Sequence, residues 1–136
     1  MDDVIGGRGS MGPGVQRVEK PWGFEIIWAR TDAYVGKKLF IREGHKLSLQ
    51  YHRLKDETIY VHAGSLRFTV EQDGRLVDLT LGPGDAYHIR PGVRHRLEAL
   101  SDCEVFEAST TQLDDVVRLE DAYGRAAPLT KETGPS

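Results

Sequence analysis

The stretch GHKLSLQYHRLKDE (residues 44–57) decides the fold class of this chain. Apolar and polar residues alternate along its middle, which is typical of a β-strand with one buried face. Gln50 and His52 are two positions apart, so their side chains share one face of that strand. Glu57 follows five residues after His52, which is far enough along the chain to begin the next strand.

A second stretch, RPGVRH (residues 90–95), places His95 directly after a Pro-Gly turn. An amide oxygen, two imidazoles and one carboxylate suit a divalent transition metal that keeps positions open for substrate. Taken singly, each of these polar residues is more often a solvated side chain. Their joint spacing favours a metal site, because polar side chains inside a β-barrel are unfavourable unless they are paired or coordinate something.

The composition bounds the class of protein. We expect one domain from 136 residues, and a formal charge of −3 with a pI near 5.9 gives no indication of nucleic-acid or membrane binding. We expect neither a transmembrane helix nor a secretory signal, because the chain has no long apolar run and a start without a basic region. The single cysteine, Cys103, predicts a buried free thiol and a reducing, cytoplasmic compartment.

Short alternating segments between Phe24 and Ser109 predict about nine strands separated by turns. The clearest alternation lies at residues 65–71, and Asp73-Gly74 after it is a hairpin signal. This pattern predicts an all-β fold, a small antiparallel sandwich or barrel.

Residues 113–123 are the one window that offers a helix, and at most one short turn or helix is expected there. The Gly-rich residues 1–16 predict a flexible leader, and residues 126–136 a loose tail. A single domain is therefore predicted at residues 17–125.

The two quoted stretches resemble the two motifs of the cupins, which are small β-barrel proteins of jelly-roll-like architecture. The first cupin motif runs from a Gly through His-x-His and Glu to a second Gly. Its counterparts here are Gly44, Gln50-Tyr51-His52, Glu57 and Gly64. The second motif has Gly-Asp, a Pro/Gly turn and a His, and its counterparts are Gly84-Asp85, Pro91-Gly92 and His95.

With Gln in place of the first His, the chain resembles more narrowly the cupin domain of type II mannose-6-phosphate isomerases. The resemblance rests on four segments: KPWG (20–23), SLQYH (48–52), VRHRLE (93–98) and VRLEDAYGR (117–125). The chain departs from that family at Lys55, where Arg is frequent, and at Thr58, where an aromatic residue is usual. It departs also in the turn before His95, which usually reads Ile-Pro-x-Gly. These departures bear on the substrate more than on the metal.

The resemblance implies a metal-dependent aldose–ketose isomerase acting on a sugar phosphate such as mannose 6-phosphate. It implies one divalent transition metal, zinc foremost, with manganese, iron, cobalt or nickel as alternatives. The implied metal ligands are Gln50, His52, Glu57 and His95.

The other candidate residues follow from their type and from the same resemblance. The candidates for moving the proton are Lys37, His88 and Glu98. The candidates for binding the substrate anion are Lys38, Arg118 and Arg125. Two adjacent lysines such as Lys37 and Lys38 are more often simply a solvated pair. Arg118 and Arg125 are equally explained as salt-bridge partners of Glu120 or Asp121.

Two other functions fit the same sequence. With iron, the ligand set suits a cupin dioxygenase, and a non-catalytic cupin that binds a sugar or a metal is the third reading. The expected partner is a small molecule, a sugar phosphate or related polyol, rather than nucleic acid or a membrane. A homodimer through an edge strand is also expected.

Overall fold

The computed structural model describes residues 14–126. The predicted leader and tail lie outside this range, except for residues 14–16 and 126. Within it the chain forms eleven strands and no helix. The strands are β1 (Gln16–Lys20), β2 (Gly23–Arg30), β3 (Val35–Ile41), β4 (Leu49–Tyr51), β5 (Glu57–Ala63), β6 (Leu66–Gln72), β7 (Arg75–Leu81), β8 (Ala86–Ile89), β9 (His95–Ala99), β10 (Cys103–Ser109) and β11 (Val117–Glu120).

The strands form two antiparallel sheets. The six-stranded sheet has the order β1-β2-β3-β10-β5-β8, and the five-stranded sheet has the order β11-β4-β9-β6-β7. Strands far apart in the chain are therefore neighbours, as in a jelly roll. This architecture confirms the predicted all-β fold class.

The core lies between the two sheets and is built by side-chain alternation. Leu66, Phe68 and Val70 of β6 are fully buried, whereas Arg67, which lies between Leu66 and Phe68, is exposed. Val61 and Val105 of the facing sheet are also fully buried. The strands β5, β6, β9 and β10 thus contribute every second side chain to the core, which is the periodicity of a strand with one buried face.

Each end of the described chain forms a strand that the sequence did not predict. β1 begins at Gln16, within the predicted leader, and pairs with β2 from Gln16 opposite Ile27 to Lys20 opposite Gly23. The window at residues 113–123 contains strand β11, whose Arg118 lies opposite Gln50. Because that window has no consistent helical spacing, pairing with the edge of β4 determines its conformation. No helix among residues 14–126 is long and apolar enough to cross a membrane.

Candidate metal centre

Both sheets contribute to one cluster of metal-binding side chains. His95 begins β9 of the five-stranded sheet, and His52 directly follows β4 of the same sheet. Glu57 begins β5 of the six-stranded sheet. One nitrogen or oxygen from each of these three buried residues lies within 4.8 Å of the other two. The fold therefore brings the two sequence motifs together between the sheets.

Main-chain oxygens fix the orientation of the two imidazoles. Nδ1 of His52 lies 2.5 Å from the carbonyl oxygen of Asp115, and Nδ1 of His95 lies 2.9 Å from that of Val93. Because a carbonyl oxygen only accepts hydrogen bonds, the N–H of each ring is at Nδ1. Each Nε2 is consequently directed at Glu57, with Nε2–Oε2 distances of 2.8 Å for His52 and 3.3 Å for His95.

This arrangement fits a divalent metal. In neutral imidazoles both Nε2 lone pairs would face a carboxylate oxygen, and a cation among the three atoms removes that repulsion. Ligand atoms about 2.1 Å from a metal lie roughly 3.0–3.4 Å apart at octahedral or tetrahedral angles, close to the spacings seen here. The carbonyl partners at Nδ1 are the outer contacts that metal-binding histidines usually have.

The acid of the cluster is ionised. Burial raises the pKa of Glu57, but its close contacts with the His52 and His95 rings and the charge of Lys55 outweigh that effect and hold the pKa well below its ordinary value. A negative ligand beside two imidazoles leaves a bound dication with residual positive charge, which suits the polarisation of a substrate oxygen.

Gln50 lies in the same pocket, directly opposite His95 in the β4–β9 pairing. Opposite residues of an antiparallel pair point to the same face, so its side chain is directed at the cluster. The hydroxyl of the fully buried Ser48 donates to Oε1 of Gln50 at 2.6 Å. That bond leaves the second lone pair of the amide oxygen for a metal.

Two buried ion pairs line the six-stranded side of the pocket. Lys37 Nζ lies 3.1 Å from Glu25 Oε1, and Lys55 Nζ lies 2.8 Å from Glu107 Oε2. Burial, followed by the charge of Glu57, raises the pKa of Glu107 despite the neighbouring lysines. The sequence prediction omitted both acids. For Glu107 the sequence does contain an indication: it is in phase with the buried Cys103 and Val105, so its side chain is expected to face inward.

A further part of the pocket wall, to which both sheets contribute, is rich in cations. Lys20, Arg118 and Arg125 line it together. Nε and Nη2 of Arg125 donate to the carboxylate of Asp121 at 2.8 Å and 2.9 Å. Within residues 14–126, Lys20 has no ion pair, and the buried Nε of Arg118 has no hydrogen-bond partner. Burial lowers the pKa of Lys20, and the charges of Lys37, Arg118 and Arg125 lower it further against the effect of Glu25. This wall therefore carries positive charge without full compensation.

Three of the predicted site residues lie away from the pocket. Lys38 points to the opposite face of β3 from Lys37, 3.7 Å from Glu104. His88 is exposed, with Nε2 2.6 Å from Asp56, and Glu98 pairs with Arg67 at 3.2 Å. Strand alternation explains this, because each of the three residues is adjacent in the chain to an inward-facing residue and therefore faces outward. The structure does bring together Lys37, Arg118, Arg125, Gln50, His52, Glu57 and His95.

Comparison with protein families gives a match to the cupin domain over residues 40–108, which contain all four proposed ligands. The chain belongs to the cupin family. The predicted resemblance to cupins is thereby confirmed on the residues that the structure brings together.

The curated relatives of this cupin are much longer proteins. It is 34% identical over 115 residues to mannose-1-phosphate guanylyltransferase of Escherichia coli K12, with 81% of this chain and 23% of that protein covered. It is 31% identical to the xanthan biosynthesis protein XanB of Xanthomonas campestris, with 81% and 24% covered. The chain thus spans about a quarter of the length of these relatives.

Solved structures share the fold of this cupin at low identity. Oxalate decarboxylase of Bacillus subtilis superposes with a TM-score of 0.69 at 18% identity, covering 78% of this chain and 30% of that one. The capsular polysaccharide assembling protein CapF of Staphylococcus aureus superposes with a TM-score of 0.70 at 15% identity, covering 78% of this chain and 32% of that one. These likenesses establish the cupin architecture and nothing about the reaction.

Proposed function

We propose that this cupin is a metal-dependent aldose–ketose isomerase whose substrate is a sugar phosphate such as mannose 6-phosphate. The observation that carries the proposal is that one pocket contains both the His52–Glu57–His95 cluster and an incompletely compensated cationic wall. A metal in the cluster would suit a sugar carbonyl or hydroxyl, and the cationic wall would suit a phosphate at the other end of the same molecule. Relatives named for mannose 1-phosphate chemistry support a phosphosugar substrate.

The phosphate would bind at Lys20, Arg118 and Arg125. Five cationic and three anionic side chains line the pocket, so an anion is favoured there before any metal is added. Arg118 is the central contact of the proposal, because its buried Nε has no partner among the described residues. A phosphate oxygen would satisfy that donor.

Isomerisation transfers a proton between C1 and C2 of the sugar through an enediol or enediolate. Gln50, His52, Glu57 and His95 would hold a divalent metal, which would supply Lewis-acid polarisation of the substrate oxygens. Of the residues predicted to move the proton, Lys37 remains the candidate, since it is buried in the pocket. Its ion pair with Glu25 at 3.1 Å gives a lysine and an acid on the wall that the sugar carbons would face.

An anaerobic assay tests this function. The purified protein is loaded in turn with zinc, manganese and cobalt and incubated with mannose 6-phosphate, and fructose 6-phosphate is measured. We expect turnover without oxygen. Bound metal without conversion of mannose 6-phosphate or related phosphosugars refutes the isomerase and leaves a binding cupin.

A second function is favoured by the composition of the cluster. Two histidines and one carboxylate form the ligand set of many non-haem iron oxygenases. We therefore retain an iron-dependent dioxygenase as the alternative. Oxygen consumption that requires ferrous iron, with no turnover under anaerobic conditions, supports it against the isomerase.

The homodimer predicted from the sequence also remains a proposal, as does the cytoplasmic location. The outer face of the six-stranded sheet carries two aromatic pairs beside the Lys38–Glu104 ion pair: Tyr60 lies opposite Phe106 in the β5–β10 pairing, and Phe24 stacks on Phe40 with ring centres 5.2 Å apart. Tyr60 is 44% exposed. We propose that a second copy covers this face rather than pairing through an edge strand.

A further inference from the structure

Asp115, in the loop between β10 and β11, contacts the metal centre in two ways. Its main-chain oxygen accepts the hydrogen bond from Nδ1 of His52 at 2.5 Å. Its carboxylate accepts three more, from the main-chain N–H groups of residues 53–55, at 3.0, 2.7 and 2.9 Å. Those three residues belong to the segment that joins His52 to Glu57.

We propose that Asp115 is a positioning residue of the metal centre, which orients the ring of His52 and holds the segment leading to Glu57. The carbonyl at position 115 is present whatever the side chain. The carboxylate adds a fixed position for that carbonyl, because its three hydrogen bonds anchor residue 115 to the segment that begins at the ligand. Neither group touches the metal position, so Asp115 acts through the ligands.

Other contacts of the same loop make this anchoring effective. Main-chain N of Thr110 donates to the carbonyl oxygen of Asp56 at 3.0 Å, and main-chain N of Asp56 donates to Oγ1 of Thr110 at 3.0 Å. The loop is therefore tied to the Glu57 side at its start and to the His52 side at Asp115. It continues into β11, where Arg118 lies opposite Gln50. Displacement of the loop would therefore move ligands and the cationic wall together.

The test compares Asp115→Ala and Asp115→Asn with Asp114→Ala as the matched control. Asp114 is the exposed neighbour, and its side chain makes no hydrogen bond or ion pair among residues 14–126. Affinity for zinc is measured by competition with a chelator, and the absorption spectrum of the cobalt-loaded protein reports ligand geometry. We expect Asp115→Ala to weaken zinc binding about 10–100-fold and to change the cobalt spectrum. Asp115→Asn keeps one acceptor oxygen and should lose less, and Asp114→Ala should match the wild type.

The outcomes separate this inference from the proposed function. The inference rests on the metal site of that function but not on its substrate, so failure of the sugar assay leaves it standing. Unchanged affinity and cobalt spectrum in Asp115→Ala, or in Asp115→Asn if the alanine variant does not fold, overturn it while the metal site stands. A wild-type protein that binds no metal overturns both. A merely structural loop would lower the melting temperature and leave the cobalt spectrum unchanged.

Discussion

Gln50 lies directly opposite His95 in the five-stranded sheet, and Arg118 lies opposite Gln50 on its other side. Three neighbouring strands thus present an amide, an imidazole and a guanidinium in one row on the same face. The row links the metal cluster to the cationic wall within a single layer of backbone. The proposed metal and phosphate positions would therefore be separated by strand spacing, which would suit a substrate with an oxygen at one end and a phosphate at the other.

Arg118→Ala should remove preference for phosphorylated sugar. A hydrogen bond from a charged donor is worth about 1.5–3 kcal/mol, so affinity for mannose 6-phosphate should fall roughly 10–100-fold while affinity for mannose stays the same. Calorimetric titration of the metal-loaded protein with both sugars measures this. Lys38→Ala is the control, since Lys38 pairs with Glu104 on the outer face. Equal losses in the two variants would exclude Arg118 as a phosphate ligand.

Gly64→Ala should destabilise the fold more than Gly44→Ala. Both glycines have positive φ, 90° and 83°, so each substitution costs about 1–2 kcal/mol of backbone strain. A Cβ at Gly64 would also lie 2.2 Å from the carbonyl oxygen of Asp102, whereas one at Gly44 would meet nothing within 4 Å. We expect about 3 kcal/mol or more for Gly64→Ala, measured by urea unfolding. Similar values for both variants would contradict the close approach.

Asp121→Asn should alter the dependence of stability on pH. Hydrogen bonds from the side chain and main chain of Arg125 hold the pKa of Asp121 below its ordinary value, although burial opposes them. A lowered pKa contributes stability above about pH 4, and that contribution disappears as the pH falls through the folded-state pKa.

The Asp121→Asn variant should therefore lose about 1–3 kcal/mol at pH 7 and progressively less toward pH 2. Urea unfolding at pH 7 and pH 3 measures the difference. Glu120→Gln is the control, because Glu120 is exposed and its ion pair with Arg96, at 3.4 Å, is a surface pair that contributes little to stability. A loss that is the same at both pH values would show that the charge of Asp121 is not what stabilises this turn.

Tyr60→Lys should convert the proposed dimer to a monomer. A lysine at position 60 would bury an unpaired charge in the proposed interface, whereas on a solvated sheet it changes little. Sedimentation velocity of the wild type and the variant measures the change. Arg75→Glu in the β6–β7 hairpin, on the other sheet, is the control. A monomeric wild type would refute the proposed dimer.

Much of this architecture could be predicted because strand alternation is a local property. Residues 65–71 alternate clearly, and β6 forms at Leu66–Gln72, one residue later. Asp73-Gly74 forms the β6–β7 turn, with φ 53° at Asp73. The edge strands β1 and β11 were harder to predict. β1 follows a Gly-rich stretch, and β11 alternates over only four residues, so pairing with neighbouring strands determines both.

The candidate site was predictable to the extent that motif spacing constrains it. His52, Glu57 and His95 gather as their spacing indicates. Charged residues without a motif were not assignable, because sequence does not say which of two adjacent lysines points inward. Lys37 faces the pocket and Lys38 the outer surface. The inward acids pair with lysines from other segments, and such pairings appear only when the strands are assembled.

The central claim is that His52, Glu57 and His95 bind one divalent metal ion. Its most direct test is the zinc stoichiometry and affinity of the purified protein beside those of His95→Ala, with His62→Ala as a control for an exposed histidine. We predict one zinc per chain in the wild type and in His62→Ala, and at least a hundredfold weaker binding in His95→Ala. Absence of zinc, manganese, cobalt and iron binding in the wild type, or undiminished binding in His95→Ala, would contradict the claim.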